Sequence, residues 1–331
     1  MRCTEAVVLA VLGATLGSTA RARDDDLLED IQMLDGPRPA WVLTAGAEFD
    51  GDGGDLVGGS AGFSPREHTT LTLNAVHADT STVSDKLTAT AVGLDFDQDF
   101  EHWGFALSVA YWKDPDLVEA ADYGGSVFLK WGGWQLMASA LARASAFNSF
   151  TVSGTIPRPN LPPLTVSGRA SCDLDDRGIG ARLAFTGQRW SSYLSGRSYD
   201  YDQFDCGFSS VTVGAVTISP DRLRTLSPAF LGRLTARATA AGSINVRANT
   251  VFLDSSLAAG ISTVRGTRVY AVDYLRTKER FDGLVANTLA ASLTFATSRR
   301  TDLEIHLGVF DAEQADTIGF AGVTVIAYVG G

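Results

Sequence analysis

The chain has 331 residues, 45% of them hydrophobic and 20% charged, with 34 glycines, three cysteines and a formal net charge of −11. That charge excludes a nucleic-acid partner, which would need a basic stripe. The mean hydropathy of +0.07, without any apolar run of about 18 residues, excludes a membrane-spanning helix.

The first stretch, MRCTEAVVLAVLGATLGSTARA, places Arg2 ahead of an apolar core from Ala6 to Gly17 and ends on the small-x-small triplet Ala20-Arg21-Ala22. This is the layout of a cleaved secretory signal peptide over residues 1–22. Cys3 precedes the apolar core, so it does not occupy the place of a lipoprotein's acylated cysteine. Residues 23–40, RDDDLLEDIQMLDGPRPA, form an acidic N-terminal segment. Leu27, Leu28, Ile31 and Leu34 share a helical face that Pro37 and Pro39 end. A short capping or plugging helix and a flexible acidic leader both fit that pattern.

From Trp41 onward, segments of period-two alternation recur between turn signals. They fall at 41–49, 55–62, 68–78, 87–97, 102–112, 122–131, 134–147, 177–187, 190–200, 211–219, 230–239, 243–253, 267–276, 284–297, 301–311 and 317–329. That is sixteen strands, or fourteen if the weak second and tenth are dropped. Tight connections at 97–101, 131–134, 187–189 and 298–300 contrast with longer polar ones such as DTSTVSDK, KDPDLVEAAD and the Pro-rich 148–176. With an even strand number the tight turns and both chain ends share one side. A tight turn at Ala240–Gly242 is the exception.

HWGFALSVAYW (102–112) shows what the alternation means. Trp103, Phe105, Leu107, Val109 and Tyr111 make one face; Gly104, Ala106, Ser108 and Ala110 make the other. A soluble sandwich would turn Lys, Glu and Arg outward from a bulky core face. Lipid on the bulky side and a crowded, wet interior on the small side account for both faces. The segments are near the length a tilted strand needs to cross a bilayer, and Trp103 and Tyr111 stand at opposite ends of one face, where interfacial aromatics belong. Only a closed barrel leaves no strand edge in lipid. The expected fold class is therefore all-β: a transmembrane antiparallel β-barrel over residues 41–331, with an even strand number of about 14–16.

On these residues the chain resembles Gram-negative outer-membrane β-barrels of the porin-like kind. The last strand, FAGVTVIAYVGG, is similar to their C-terminal assembly signal, although it ends on Val-Gly-Gly instead of an aromatic residue. The resemblance implies an outer-membrane location and a pore for passive diffusion of small hydrophilic solutes or ions. It implies outer-membrane lipid as a partner and a homo-trimer as one assembly. No cofactor and no enzymatic activity are expected.

Cys172 and Cys206 flank a hairpin that turns at 186–189, which sets them nearly opposite each other. In an exported protein this points to a disulfide bracing two loops on the side away from the tight turns; two free, partly buried thiols are the alternative. No C-x-x-C or Cys/His metal spacing occurs.

Taking the bulky residues as lipid-facing assigns the charges that point inward. Glu48, Asp95, Asp97, Asp302 and Glu304 form an acidic set around the seam between first and last strands, with His306 beside them. Arg143, Arg182, Arg197, Arg233, Arg237 and Arg247 lie on the middle strands, across from it. Parity and the porin resemblance together imply an eyelet, an acidic wall facing an arginine wall across an aqueous channel. Inward charges that pair and fill the lumen would instead give a plugged barrel, serving as an anchor or as a lipid hydrolase built on His306, Glu304 and Ser292. A soluble exported β-sandwich binding module is the third reading, with Tyr199 and Tyr201 as a sugar-stacking platform.

Overall fold

The computed structural model describes residues 40–51, 53–81, 86–114, 118–158, 161–202, 205–213, 216–218, 253–280, 283–313 and 317–330. They form β1 (Trp41–Asp50), β2 (Asp55–Arg66), β3 (Thr69–Ser81), β4 (Lys86–Asp99), β5 (Trp103–Asp114), β6 (Val118–Trp131), β7 (Trp134–Arg158) and β8 (Leu161–Thr186). There follow β9 (Trp190–Tyr201), β10 (Asp205–Val213), β11 (Val216–Ile218), β12 (Leu253–Arg265), β13 (Arg268–Glu279), β14 (Val285–Ser298), β15 (Thr301–Ala312) and β16 (Ile318–Val329). No helix occurs among the described residues.

Every pairing is antiparallel. β1 to β9 follow one another round the wall, β9 pairs β12, β12 to β16 continue, and β16 pairs β1 from Trp41↔Val329 to Asp50↔Phe320. Fourteen strands thus close a ring, and an edge is left nowhere in it. The tight connections 67–68, 100–102, 132–133, 187–189, 266–267 and 299–300 share one end with Ala40 and Gly330. The other connections within the ring leave from the opposite end, as the alternating direction of antiparallel strands requires.

Two faces result. Outward are Leu107 (54% exposed), Leu129 (57%), Val127 (58%) and their like on every strand of the ring. At the turn end an aromatic girdle runs round the outside: Trp41 against Phe63 (4.5 Å), Phe100 against Trp103 (4.4 Å), and Phe185 between Trp134 (4.9 Å) and Trp190 (4.7 Å). Inward are glycine, alanine, serine and threonine with interspersed polar residues and some large apolar ones, Trp112, Met137 and Phe310 among them. Apolar packing inside is local, as where Phe310, Ala312 and Ile318 meet Ala286 near the loop end of β14–β16.

Three expectations need correction. The strand at 211–219 is not in the barrel wall: β10 and β11 lie on the edge of β8 beyond the ring, with β10 pairing β8 from Asp205↔Asp173 to Val213↔Val166. The Pro-rich 148–176 is not a loop connection. β7 and β8 run on as a paired extension from Phe150↔Ala170 to Arg158↔Leu161, and Pro162 and Pro163 fall at its irregular tip, where a ladder tolerates missing N–H groups. Finally, β12 lies where no strand was expected. Strand 230–239 and nearly all of 243–253 lie outside the described residues, as do the Ala240–Gly242 turn, the signal peptide and the acidic segment up to residue 39.

Candidate functional site

The interior is built on cross-strand rows in which one large polar side chain lies over a neighbouring glycine. In the row His306↔Gly322↔Glu48, imidazole on β15 crosses β16 at Gly322 and brings Nε2 within 3.0 Å of the Glu48 carboxylate on β1. A Cβ on Gly322 would stand 2.3 Å from that nitrogen. The row Tyr193↔Gly260↔Asp273 repeats the device: Tyr193 crosses β12 and donates its hydroxyl proton to Asp273 Oδ1 (2.8 Å). A Cβ on Gly260 would meet the tyrosine ring at 2.4 Å. Gly104 likewise makes room for Phe128 on the inner face of β5.

The seam gathers three of the expected acids. Glu304 stands 3.8 Å from His306 Nδ1 and accepts from the Thr294 hydroxyl (3.1 Å). Asp302, 4% exposed, accepts from the Tyr328 hydroxyl (2.8 Å). Glu48 joins them through His306. Asp95 and Asp97 do not: they lie inward on β4, three strands from β1, with Asp95 accepting from the Asn74 amide (2.8 Å). Ser292 is paired in register with His306, but both ring nitrogens face carboxylates. Only the Nε2–Glu48 contact, at 3.0 Å, is of hydrogen-bond length; Nδ1 stands 3.8 Å from Glu304.

The arginines stand on the far wall. β8 lies seven strands from β1 either way round the ring, so Arg182 on β8, with Arg143 on β7 and Arg197 on β9, looks across at the seam. Their states differ. Arg143 is clamped by Asp122 through two hydrogen bonds (2.6 and 2.8 Å), with Asp176 at 4.0 Å and the Trp112 ring 5.7 Å away. Arg182 stacks over Tyr193 at 4.2 Å. Arg197 passes close to Gly180, where an added Cβ would lie 3.4 Å from its Nε. Arg233, Arg237 and Arg247 lie outside the described residues.

Sequence reading missed Asp122 and Asp176, which neutralise Arg143, the Tyr193–Asp273 bridge, and the Lys130–Asp99 ion pair (2.5 Å). Parity alone would have placed all of them inward. Tyr199 and Tyr201 belong to the wall strand β9 and not to an exposed loop, and Tyr201 donates to the Leu253 carbonyl (2.8 Å). Cys172 and Cys206 are direct register partners, with β10 continuing the line of β9 along β8.

Solvent reaches this interior: the side chains of Glu48, His306 and Arg143 keep 20%, 19% and 22% of their exposure. No grouping of histidine, cysteine and carboxylates among the described residues could hold a metal ion.

A closed ring of even strand number, apolar outside and polar within, is the architecture of porin-like outer-membrane β-barrels, and this chain has it. No family model matches the sequence, and no curated protein matches it. Among solved structures the chain is similar in fold to the CymD monoaromatic hydrocarbon channel, at 8% identity over 100% of both chains with a TM-score of 0.53. It also matches the KdgM porin in complex with disordered oligogalacturonate (8% identity, 87% of this chain and 99% of that one, TM-score 0.40). A third match is OpdK of Pseudomonas aeruginosa with vanillate (9% identity, 87% and 96%, TM-score 0.36). At such identities the likeness is one of fold alone.

Proposed function

We propose that the protein is an outer-membrane pore through which small hydrophilic solutes or ions diffuse passively. In this reading residues 1–22 are the export signal, 41–331 the barrel, and Cys172 and Cys206 a disulfide. Glu48, Asp302 and Glu304 line one side of the channel, Arg143, Arg182, Arg197, Arg233, Arg237 and Arg247 line the other, and Asp95 and Asp97 line the wall between them on β4. The observation that carries the proposal is the water-reached inner face of a fourteen-strand ring, where Glu48 and His306 keep about a fifth of their exposure. Eight strands enclose just enough space for side chains to fill, and the diameter grows with strand number; here many of the inward residues are also small. Opposed charges within low-dielectric walls focus ions and orient dipolar solutes.

The test is conductance of the folded, purified protein in a planar bilayer under a salt gradient. Discrete steps with a salt-dependent reversal potential support the pore, and steps closing in threes would support a trimer. Silence from protein shown to be inserted overturns it in favour of a plugged barrel.

A further inference from the structure

Five exposed arginines crowd one sector of the turn end. Arg189 lies in the β8–β9 turn, Arg265 and Arg268 flank the β12–β13 turn, and Arg299 and Arg300 make the β14–β15 turn. These three turns are neighbours round the ring, because β9 pairs β12 and β13 pairs β14. The backbone stitches them into a continuous ridge. The Arg189 carbonyl accepts from the Val264 amide (2.9 Å) and the Thr263 hydroxyl (3.0 Å), Thr267 accepts from Ala296 (3.5 Å), and Arg300 accepts from Tyr328 (2.9 Å).

No carboxylate stands on the three turns, whereas the turns at 67–68 and 100–102 each carry a glutamate. Among the described residues none of the five arginines forms an ion pair. In a chain of net charge −11, such a concentration of uncompensated cations stands out.

Height and direction then narrow the partner. Arg265 and Arg268 are register partners with outward parity, and Arg268 also pairs with outward Phe295. Trp190 follows Arg189 directly and packs on Phe185 in the aromatic girdle. Tryptophan girdles mark headgroup level, and a guanidinium offers a planar fork that matches phosphate oxygens.

We propose that this ridge binds anionic phospholipid headgroups in the leaflet at the turn end, so that lipid is recruited to the β8–β15 sector of the barrel and not evenly round it. The inference rests on the membrane reading above.

The test compares tryptophan quenching by brominated phosphatidylglycerol and brominated phosphatidylcholine in vesicles, with the full-length barrel keeping either Trp190 or Trp103 as its sole tryptophan. Brominated phosphatidylglycerol is expected to be preferred at Trp190 by about five-fold at low salt, the scale of one basic residue near a charged surface. The preference should be absent at Trp103, shrink in 0.5 M salt, and vanish when all five arginines become glutamine. Replacing them with lysine should retain part of it. Equal quenching at Trp190 by both lipids overturns the proposal. So does a preference that emerges only when Asp24, Asp25, Asp26, Glu29, Asp30 and Asp35 are changed to amides, since the acidic segment would then be the ridge's occupant. If neither lipid reaches either tryptophan, it is the membrane reading that falls.

Discussion

His306 and Glu48 are joined across a third strand: the imidazole passes over Gly322, and its Nε2 rests 3.0 Å from the carboxylate. The contact lies where β15 and β16 meet β1, so it ties the chain's last strands to its first over the line of barrel closure.

Gly322→Ala should therefore weaken closure. The added methyl would meet His306 Nε2 at 2.3 Å and the Ala47 carbonyl at 2.7 Å, and the second of these cannot swing aside. Overpacking of this kind costs roughly 1–3 kcal/mol. Urea unfolding in vesicles, followed by gel mobility of unheated samples, should show the loss. Removing the ring with His306→Ala in the same chain should recover part of it but not all, because the backbone clash remains.

The seam also carries charge that a passing ion would feel. Glu48→Gln with Glu304→Gln should shift the reversal potential in a salt gradient away from cation preference. A unit charge about 4 Å from an ion is worth roughly 1 kcal/mol in water, so each carboxylate lost should change the permeability ratio by about five-fold. Arg182→Gln with Arg197→Gln, on the opposite wall, should move it the other way. Unchanged selectivity in both variants would remove these residues from the conduction path.

How much of this could be read from the sequence depended on contrast between the faces. β5 was plain because Trp103, Leu107 and Tyr111 alternate with glycine, alanine and serine. β12 was missed because LDSSLAAGISTVR offers only Leu257 and Ile261 as bulky apolar outward residues, with small ones on both faces elsewhere between Ser255 and Thr263. The extension of β7 and β8 was hidden by Pro157, Pro162 and Pro163, which read as loop but cluster at the hairpin tip. For the site, parity placed Glu48, Asp302, Glu304, Arg143, Arg182 and Arg197 on the inner face. It could not show which of them pair. Whether Arg143 meets Asp122 depends on register between β6 and β7, and Asp122↔Arg143 is fixed by the tight Trp131↔Trp134 turn below it.

That pair gives a third expectation. Arg143 lies three-quarters buried with Asp122 as its two-point partner. Asp122→Ala would leave the guanidinium inside with Asp176 4.0 Å from its Nε. Loss of one member of a buried pair typically costs 3–5 kcal/mol, and residual solvent access and Asp176 put this case near the low end, about 3 kcal/mol. Asp122→Ala combined with Arg143→Met should be closer to the parent in urea midpoint than Asp122→Ala alone. The reverse order would mean the charge is solvated and the pair contributes little.

The cysteines supply the last expectation. Cys172 and Cys206 are opposite each other in an antiparallel ladder, where Cα atoms stand about 4.5 or 5.5 Å apart, and both spacings fall within disulfide reach. The pair sits just beyond the point where the chain leaves the ring: β9 pairs β12 as far as Ser198↔Ser255, and β10 from Asp205 pairs β8 instead. A disulfide there would clamp the base of the extension without crossing the barrel's closure. Protein purified without reductant should accordingly resist alkylation at both cysteines until it is reduced. Reduction should leave the gel mobility of the unheated barrel intact yet open a new protease cut between Asp205 and Ile218. If reduction shifts the barrel band itself, the bond holds the wall; if both thiols alkylate at once, there is no bond.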